Sequence, residues 1–486
     1  MRGVVLGVAG GLALLMVPAT AMADVADEPT EDVTWVDCDD ESVPDVMECA
    51  SVEVPLDWSE PDGETLVLDV SRAPATGEAE RTVFFLPGGP GGSGLVRLSA
   101  SIDHIADLRE RVDVVTWDPR GSEGSRGNIH WPDLAACLEG PTMTAAPRDE
   151  DEFAQLTAEN IAAFEDCHAS APKLVENMDS VSHARDLDAV REAVGATEMN
   201  ALANSYGGVV AVSYARTFPD RVRTMFLDSA VDHVFSFEEE QNADYPNLER
   251  QFGAYQDWCA EDDSCALHGE DVEARWQALV AAADEEPIPV QDAPEESMSG
   301  TALKQVAATY TINEFLWPEL GEAVLRAEEG DASGFVMGEA RPVMMTALAA
   351  TECPDGTGSL DDYSSYRAAM DRAQELSPNF AGVREARALG CLGWPFPVSN
   401  PPAPLPGDEL PPLLGGAPLW ERPGIRATVD QVPGSRLVTV EEMDAHGLYI
   451  NYGNSCVIGH VNRYLVDAEL PGADVECPME ERPEGA

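Results

Sequence analysis

The run Met199–Gly208, MNALANSYGG, carries the strongest signal in this chain. The apolar segment Met199–Ala203 predicts a buried strand, and the apolar segment Val209–Ala215 predicts a buried helix. Ser205 stands in the turn between them, as the serine of a nucleophile elbow does. The tight turn needs small neighbours, and alanine and glycine stand two residues before and two residues after the serine. A serine in an ordinary strand–helix turn would fit the same pentapeptide, so the rest of the chain has to decide.

Apolar runs on both sides of this turn predict the other strands of a sheet. They are Glu64–Ser71, Thr82–Leu86, Arg111–Trp117, Thr224–Leu227, Pro412–Leu414 and Arg436–Val440. Helical spacing of apolar residues predicts helices at Ser182–Val194 and Cys456–Asp467. Strands that alternate with helices imply a mostly parallel sheet covered by helices on both faces, which is an α/β fold.

The alternation of predicted strands and helices is interrupted between residues 236 and 408. Helical segments with aromatic residues, such as Glu249–Cys259 and Ile312–Arg326, occupy this part, and the Pro-rich stretch Pro395–Pro412 follows them. We interpret residues 236–408 as a large helical cap inserted into a sheet domain that comprises residues 24–235 and 409–486. A chain of this length exceeds one ordinary hydrophobic core, which also favours two lobes.

The first 23 residues predict a signal peptide. Arg2 is a positive start, Val4–Val17 is an apolar stretch too short to span a bilayer, and Ala21–Ala23 is an A-x-A cleavage site. No later segment is apolar enough to cross a membrane. We therefore expect a secreted, extracellular protein without stable membrane insertion.

The ten cysteines all follow the signal peptide, and an exported protein meets an oxidising environment. Local spacing suggests the disulfides Cys38–Cys49, Cys137–Cys167, Cys259–Cys265, Cys353–Cys391 and Cys456–Cys477. A metal site would need cysteine and histidine clustered at ligand spacing, and the sequence has no such cluster.

The charge balance excludes one class of partner. The chain has 29 basic and 89 acidic residues, and its formal net charge is −60 at pH 7. Nucleic acid is therefore repelled. The acidic residues are scattered along the chain and predict a solvated surface. We expect a monomer.

A glycine-rich loop follows the strand Thr82–Leu86. Its sequence, Leu86–Gly94 LPGGPGGSG, lets backbone N–H groups approach a substrate oxygen without a Cβ in the way. An oxyanion hole needs such fixed donors, and its second donor would be the N–H of Tyr206, directly after the serine. A phosphate-binding loop is the competing interpretation, but no Gly-Lys-Ser/Thr ends the run.

The general base must be a histidine that returns to Ser205 in space. Of the eight histidines, His446 follows the late strand Arg436–Val440 and precedes the last helix. This is where the last member of a triad stands in the chain order serine, acid, histidine.

These motifs together resemble the α/β-hydrolase exopeptidases related to prolyl aminopeptidase, and in particular the secreted tripeptidyl aminopeptidases of actinobacteria. The matching pieces are Glu48–Trp58 ECASVEVPLDW, Pro87–Gly94 PGGPGGSG, Trp117–Ser125 WDPRGSEGS, Arg185–Arg191 RDLDAVR, Asn204–Gly208 NSYGG, Phe218–Asp228 FPDRVRTMFLD, Cys391–Pro395 CLGWP, Pro433–Val438 PGSRLV and His446–Gly447. The resemblance covers nearly the whole mature chain.

The resemblance implies an α/β-hydrolase fold with a cap that measures the substrate from its free amino end. It implies Ser205 as nucleophile, His446 as base, and the N–H groups of Gly89 and Tyr206 as oxyanion donors. The implied substrates are peptides with a free N-terminus, and the implied reaction needs no metal or organic cofactor.

One departure from the family pattern concerns the triad acid. The family has Gly-Gly-x-x-Asp after the penultimate strand, and this chain has Leu419 at the position of that Asp. Glu421 could reach the same imidazole if the loop shifts. Asp228 is the second candidate, because some α/β-hydrolases recruit their acid from the preceding strand. The third alternative is that no acid is present.

Other polar residues have weaker signals. In TECPDG, Glu352 and Asp355 flank a cap cysteine and are candidates for binding the free amine of a peptide, which needs a carboxylate in a partly buried pocket. In WDPRG, Asp118 and Arg120 predict a buried ion pair that holds the glycine-rich loop.

The sequence therefore predicts a secreted serine exopeptidase that releases short peptides, tripeptides above all, from free N-termini through an acyl-enzyme. An esterase on the same scaffold is one alternative. The other is a degenerate hydrolase that acts as a binding protein, because the usual Asp of the triad is replaced.

Overall fold

A large, mostly parallel sheet forms the centre of the protein. The computed structural model describes residues 33–38, 43–122, 146–291, 293–336, 345–356, 360, 362–418, 421–440 and 446–480. Within these ranges the strands are β1 (Val36–Asp37), β2 (Glu48–Pro55), β3 (Thr65–Ala73), β4 (Arg81–Leu86), β5 (Val112–Trp117), β6 (Met199–Asn204), β7 (Val222–Asp228), β8 (Ile288–Val290), β9 (Ala293–Met298), β10 (Leu414–Ala417), β11 (Arg436–Val440) and β12 (Val475–Cys477). The sheet order is β1-β2-β3-β5-β4-β6-β7-β10-β11-β12, and β8 pairs with β9 apart from it.

Helices connect these strands. Over the same ranges they are α1 (Gly94–Ala100), α2 (Glu150–Ser170), α3 (Pro172–Val175), α4 (Ser180–Ala193), α5 (Gly207–Thr217), α6 (Phe237–Glu261), α7 (Val272–Glu285), α8 (Gly300–Thr311), α9 (Trp317–Glu328), α10 (Met345–Glu352), α11 (Tyr363–Leu376), α12 (Val383–Leu389), α13 (Arg422–Val429) and α14 (Ser455–Asp467). From β5 to β12 the neighbouring strands of the sheet are parallel, whereas β1, β2 and β3 add an antiparallel edge.

Both faces of the sheet are buried, which explains why its central strands are mostly apolar. In β4, Phe84 and Leu86 pack in one hydrophobic cluster with residues of α4, α5 and α13. Val83 and Phe85 face the other way and pack with residues of α1 and α14. A strand buried on both faces has no solvent-facing position for polar residues. The predicted α/β fold with helices on both faces is confirmed.

The strands that carry the candidate site end at one edge of the sheet. Leu86 of β4 pairs with Ala203 of β6, and Asn204 of β6 pairs with Asp228 of β7. Gly416 of β10 lies opposite Asp228. Because the carboxyl ends of parallel strands meet at the same edge, the segments that follow these four strands converge there.

The helices between β7 and β10 have a hydrophobic core of their own. Phe252, Trp276 and Phe380 belong to this cluster, and the rings of Phe252 and Phe380 are 5.5 Å apart, edge to face. Stacked and edge-to-face aromatic pairs of this kind bury large apolar surfaces. The region from α6 to α12, with the hairpin β8-β9, is the part of the protein that we call the cap.

One predicted cap helix is wrong in its extent. The sequence predicts a helix over Ile312–Arg326, but α8 ends at Thr311 and α9 begins only at Trp317, with a short 3₁₀ turn between them. Ile312 closes α8 with its own N–H, and Pro318 stands in the first turn of α9. A proline is suited to that first turn but cannot donate in a helix interior, so the chain starts a new helix there.

Disulfides connect neighbouring parts of both the core and the cap. Four of the predicted pairings are confirmed, namely Cys38–Cys49, Cys259–Cys265, Cys353–Cys391 and Cys456–Cys477. Cys137 of the fifth pairing lies outside the described residues. The predicted signal peptide, residues 1–23, also lies outside them. In the part of the chain that the structure describes, no helix combines the length and the apolar character needed to cross a bilayer.

Candidate active site

Ser205 occupies the turn between β6 and α5. Its φ is 55°, in the left-handed region that side-chain-bearing residues rarely adopt. The end of β7 fixes this backbone, because the Ser205 N–H donates to the carbonyl of Asp228 (3.2 Å) and the Ser205 carbonyl accepts from the N–H of Val231 (2.8 Å). The strained turn displays the serine at the edge of the sheet, as a nucleophile elbow requires.

Close backbone contacts explain why glycine surrounds the serine. A Cβ on Gly207 would stand 2.3 Å from the carbonyl oxygen of Leu86, and a Cβ on Gly88 would stand 2.6 Å from the Cβ of Ser205. Neither position can hold a side chain without moving the backbone. The glycine-rich loop and the elbow are therefore in direct contact.

Asp118 holds the glycine-rich loop. Its carboxylate accepts from the hydroxyl of Ser93 (2.9 Å) and from the N–H of Leu95 (3.2 Å) at the start of α1. The expected pair with Arg120 does not form. Arg120 instead pairs with the fully buried Asp186, 2.6 Å away. Arg120 thus stabilises α4, and Asp118 alone anchors the loop by accepting N–H and O–H groups that the first turn of a helix leaves unpaired.

Two backbone N–H groups near Ser205 are available to a ligand. In the described parts of the chain, neither the N–H of Gly89 nor that of Tyr206 has a hydrogen-bond acceptor. Gly89 has a φ of 137°, which an L side chain rarely adopts. Tyr206 stands at the N-terminal end of α5, where backbone donors have no partner in the helix. An oxyanion hole needs two such unpaired backbone donors.

His446 is held next to the elbow by the residue that follows it. Gly447 donates its N–H to the hydroxyl of Ser229 (2.8 Å), and a Cβ on Gly447 would stand 3.1 Å from Nδ2 of Asn204. Asn204 directly precedes Ser205. The imidazole of His446 is 38% exposed, so it faces an open site rather than the core. Residues 441–445, which lead into it, are outside the described residues.

Glu421 is hydrogen-bonded to this histidine. Its Oε1 lies 2.6 Å from Nδ1 of His446, and its side chain is only 9% exposed. Burial lowers the pKa of His446, but the charge and hydrogen bond of Glu421, with the charge of Asp228, outweigh burial and raise the pKa. A carboxylate on Nδ1 leaves Nε2 as the nitrogen that can accept a proton. Leu419, at the position of the family's acid, lies outside the described residues.

Asp228 has a different environment. It is fully buried, and its carboxylate accepts from the N–H groups of Tyr449 (3.2 Å) and Ile450 (3.0 Å). Burial raises the pKa of Asp228 to about 6, against the lowering effect of these hydrogen bonds. Of the two acids that the sequence left open, the structure places Glu421 against the imidazole and Asp228 against the backbone that follows it.

Glu352 and Asp355, the candidates for amine binding, lie in unlike places. Glu352 forms a two-point ion pair with Arg387, at 2.9 and 3.2 Å, and both line a cavity of about 290 Å³ in the cap. Asp355 is fully buried, and donors on Ser180, Tyr206 and Asn400 occupy its carboxylate with four hydrogen bonds. A carboxylate offers about four lone-pair positions. The structure therefore turns Asp355 away from any substrate.

The sequence missed a cluster of charged residues beside Glu421. Arg384 of α12 pairs with Asp244 and lies 3.4 Å from Glu240, both on α6. Asp232 lies near them, and a Cβ on Gly424, in the helix after Glu421, would stand 2.6 Å from its Oδ2. Burial, followed by the charges of Glu240 and Asp244, raises the pKa of Asp232 to about 7. In so acidic a chain, no sequence signal separates these carboxylates from the others.

We also searched the described residues for a site that could bind a metal ion. Among them, no group of three or more histidine, cysteine or acidic side chains is arranged to hold a metal ion, and every cysteine is in a disulfide.

Comparisons with known proteins found two family models that match separate parts of this chain. A sequence model of the alpha/beta hydrolase fold matches residues 81–316, and a model described as TAP-like protein matches residues 377–477. The tripeptidyl aminopeptidase of Streptomyces coelicolor is 28% identical over 477 residues, with 92% of this chain and 86% of that protein covered. The serine protease Hip1 of Mycobacterium tuberculosis is 26% identical, with 92% and 91% covered.

Two further comparisons found weaker similarities. Carboxylesterase B of Mycobacterium tuberculosis is 26% identical, with 88% of this chain and 86% of that protein covered. Among solved structures, a proline iminopeptidase of Mycobacterium smegmatis is 14% identical with a TM-score of 0.36, and 86% of this chain and 100% of that chain are covered. On the family matches and the full-length relatives, this chain is a serine hydrolase and belongs to the TAP-like α/β-hydrolases.

Proposed function

We propose that this protein is an exported serine exopeptidase that releases short peptides, tripeptides above all, from free N-termini. The observation that carries the proposal is the hydrogen-bonded pair Glu421–His446 beside the strained turn of Ser205. The relatives include a tripeptidyl aminopeptidase and a serine protease, which supports a peptidase. The predicted signal peptide and the four disulfides support export.

The reaction follows from the positions of five residues. His446 takes the proton of the Ser205 hydroxyl, and the oxygen attacks the carbonyl of the scissile peptide bond. The oxyanion accepts hydrogen bonds from the N–H groups of Gly89 and Tyr206. His446 then gives its proton to the leaving amine, and the acyl-enzyme forms. Water, activated by the same histidine, releases the bound peptide as its carboxylic acid, while Glu421 stabilises the imidazolium in both steps.

Glu421 fills the role of the missing family Asp in this proposal. A glutamate has one more methylene than an aspartate, so it reaches the imidazole from a backbone position two residues further along the chain. Asp228 serves the same histidine indirectly. It accepts the N–H groups of Tyr449 and Ile450, and so fixes the segment that leaves His446.

The cluster beside Glu421 supports recognition of a free amine. Asp232, Glu240 and Asp244 are three carboxylates that share the cation Arg384. When all three are ionised, this leaves an excess of negative charge in a partly buried place. An α-ammonium group of a peptide would neutralise it with charge-assisted hydrogen bonds. An N-acetylated peptide has no such charge and would be bound less well.

The cap cavity supports a short acyl part. Glu352 and Arg387 line it, and both charges act on the hydroxyl of Tyr206, the residue next to the nucleophile. Its lining comes mainly from α8, α10 and α12 of the cap, and we propose that it holds the residues before the scissile bond. Its volume, about 290 Å³, is at the lower end of the range of ligand pockets, which limits how many residues fit.

The test compares an unblocked tripeptide anilide with its N-acetylated twin. We expect the free peptide to be cleaved and the acetylated peptide to be cleaved at least tenfold more slowly in kcat/KM, by loss of one buried charge-assisted contact. Ser205→Ala is the control and should abolish both rates. Equal rates on the two peptides would overturn the exopeptidase proposal, and cleavage by the alanine variant would overturn the role of Ser205.

An esterase is the second candidate, because one full-length relative is a carboxylesterase. Ester cleavage tolerates a poorer triad, since an alkoxide leaves more easily than an amine. A short acyl ester measured beside the free peptide separates the two. A binding protein without catalysis predicts neither rate, and also no covalent labelling of Ser205 by a fluorophosphonate.

A further inference from the structure

A buried polar network connects the residue after the nucleophile to the cap. Tyr206 is 3% exposed, and its hydroxyl donates to Oδ2 of Asp355 at 2.6 Å. The same carboxylate accepts from the N–H of Ser180 at 2.9 Å, from the hydroxyl of Ser180, and from Nδ2 of Asn400 at 2.7 Å. Tyr206 belongs to the elbow and Ser180 begins α4, whereas Asp355 and Asn400 come from the chain between β7 and β10.

The network is held from behind by a second layer. The backbone carbonyl of Asp355 lies 2.8 Å from Nε2 of His233, and Nδ1 of that ring lies 2.7 Å from Arg216 on α5. Arg216 also donates to Oδ1 of Asn400 at 3.0 Å. Asp355 stands two residues after Cys353, which is bonded to Cys391. Its carboxylate is therefore fixed by the elbow, by α5 and by a disulfide of the cap.

A buried carboxylate is costly unless all its oxygens are paired. Burial raises the pKa of Asp355 to about 7, because a buried site disfavours the charged form. A phenylalanine at 206 and an apolar residue at 355 would avoid that cost. The network holds the tyrosine ring through its hydroxyl, and this ring belongs to the same residue as the backbone N–H that we propose as an oxyanion donor.

We propose that Asp355 is a positioning residue that acts through the hydroxyl of Tyr206 to fix the backbone N–H of Tyr206 as an oxyanion donor. The inference rests on the proposed oxyanion role of that N–H. Asp355 touches no substrate. The ring is a rigid connection between the bond at its hydroxyl and the first turn of α5, so a ring that is not held lets the donor move. Donor placement within about 0.5 Å is what such sites require.

The test uses Tyr206→Phe with Tyr214→Phe as its matched control. Tyr214 lies on the same helix, is also buried, and also donates to an aspartate, with its hydroxyl 2.8 Å from Oδ1 of Asp188. It is about two helical turns away from the elbow. Both variants lose one buried hydrogen bond, so we expect similar falls in melting temperature. Only Tyr206→Phe should lose activity.

Two measurements distinguish a failure of this inference from a failure of the proposed peptidase activity. The first is the rate at which a fluorophosphonate labels Ser205, which depends on the serine hydrolase machinery and not on peptide recognition. The second is kcat and KM on the unblocked tripeptide anilide. We expect Tyr206→Phe to lower the labelling rate and kcat by about tenfold, less than the roughly 10²–10³ of a deleted donor, with KM unchanged. Failure of the peptide as a substrate leaves the labelling arm intact.

Asp355→Asn and the double variant complete the test. If Asp355 acts through Tyr206, the double variant loses no more labelling rate than Asp355→Asn alone. Three results would overturn the inference. They are a wild-type labelling rate in Tyr206→Phe despite its lowered melting temperature, an equal loss of rate in Tyr214→Phe, or losses that multiply in the double variant.

Discussion

The nucleophile elbow and the acid loop, by which we mean the segment that begins at Glu421 and leads into α13, lie at the same edge of the sheet but follow different constraints. At the elbow, backbone leaves no room for a side chain: a Cβ on Gly207 would meet the carbonyl oxygen of Leu86, and one on Gly88 would meet the Cβ of Ser205. At the acid loop, only the tip of a side chain meets its partner, with Oε1 of Glu421 on Nδ1 of His446. A contact made by backbone allows one residue type at one position. A contact made by the end of a flexible side chain can be reached from more than one position.

The largest effect should come from the acid. We expect Glu421→Gln to lower kcat by about 10⁴-fold with little change in KM, because an amide neither stabilises the imidazolium nor enforces the right tautomer. Steady-state rates on the unblocked tripeptide anilide measure this. If Glu421→Gln kept more than about a tenth of the wild-type rate, Glu421 would not be the acid of the triad, and another group would orient His446.

The elbow is tested by adding one carbon. A Cβ on Gly207 would stand 2.3 Å from the carbonyl oxygen of Leu86. We expect Gly207→Ala to lower the free energy of unfolding by about 1–3 kcal/mol, as overpacking does. We also expect it to lower kcat by about 10²-fold, as a misplaced catalytic group does. Denaturant unfolding and steady-state kinetics measure the two effects.

The control for this variant is a helical glycine with open space around it. Gly459 lies in α14, and a Cβ added there would meet no neighbouring atom within 4 Å. Alanine at this position should stabilise the protein by about 0.5–1 kcal/mol and leave kcat unchanged. If Gly207→Ala behaved like Gly459→Ala, the elbow would not be limited by backbone contact.

Asp228 tests whether a second carboxylate near His446 acts on the imidazole or only on the backbone that follows it. Asp228→Asn weakens the bonds to the N–H groups of Tyr449 and Ile450, and we expect a loss of about 1–3 kcal/mol in the free energy of unfolding. The fall in kcat should be about tenfold, through displacement of the histidine segment. A larger loss of kcat than in Glu421→Gln would instead make Asp228 the acid of the triad.

The smallest effect concerns pH. His446 must be neutral to take the proton, so activity falls as pH drops through its pKa, which Glu421 raises against the effect of burial. Removing the charge lowers that pKa, and the imidazole then stays neutral to lower pH. The acidic limb of kcat/KM for the residual activity of Glu421→Gln should therefore move to lower pH. An unmoved limb would mean that the charge of Glu421 does not act on His446.

The core of the fold could be predicted because its strands are apolar on both faces. The segment Arg436–Val440 matches β11, and Thr82–Leu86 falls within β4. In the cap, local pattern was less informative. The periodicity of Ile312–Arg326 ran across the break between α8 and α9, because a 3₁₀ turn keeps apolar residues near helical spacing. The hairpin β8-β9 was also missed, since both of its strands contain a proline and β8 has only three residues.

The candidate site also has a part that could be predicted from the sequence and a part that could not. Ser205, Gly89 and Tyr206 belong to motifs with fixed spacing, and the structure brings them together at one sheet edge. The choice between Glu421 and Asp228 could not be made from sequence, because it depends on how a loop turns after β10. The cluster around Arg384 had no signal, because long-range pairing between α6 and α12 leaves no local pattern.

The insertion of the cap has a consequence for the order in which the enzyme becomes active. β7 ends at Asp228, and its sheet neighbour β10 begins only at Leu414, after the whole cap. During synthesis the nucleophile is made early, but its base arrives near the end of the chain. Domains form as their chain emerges, and strand pairs distant in sequence form late. An incomplete chain therefore holds a serine without its histidine, and a hydrolase made inside a cell stays inert until its last segment has folded.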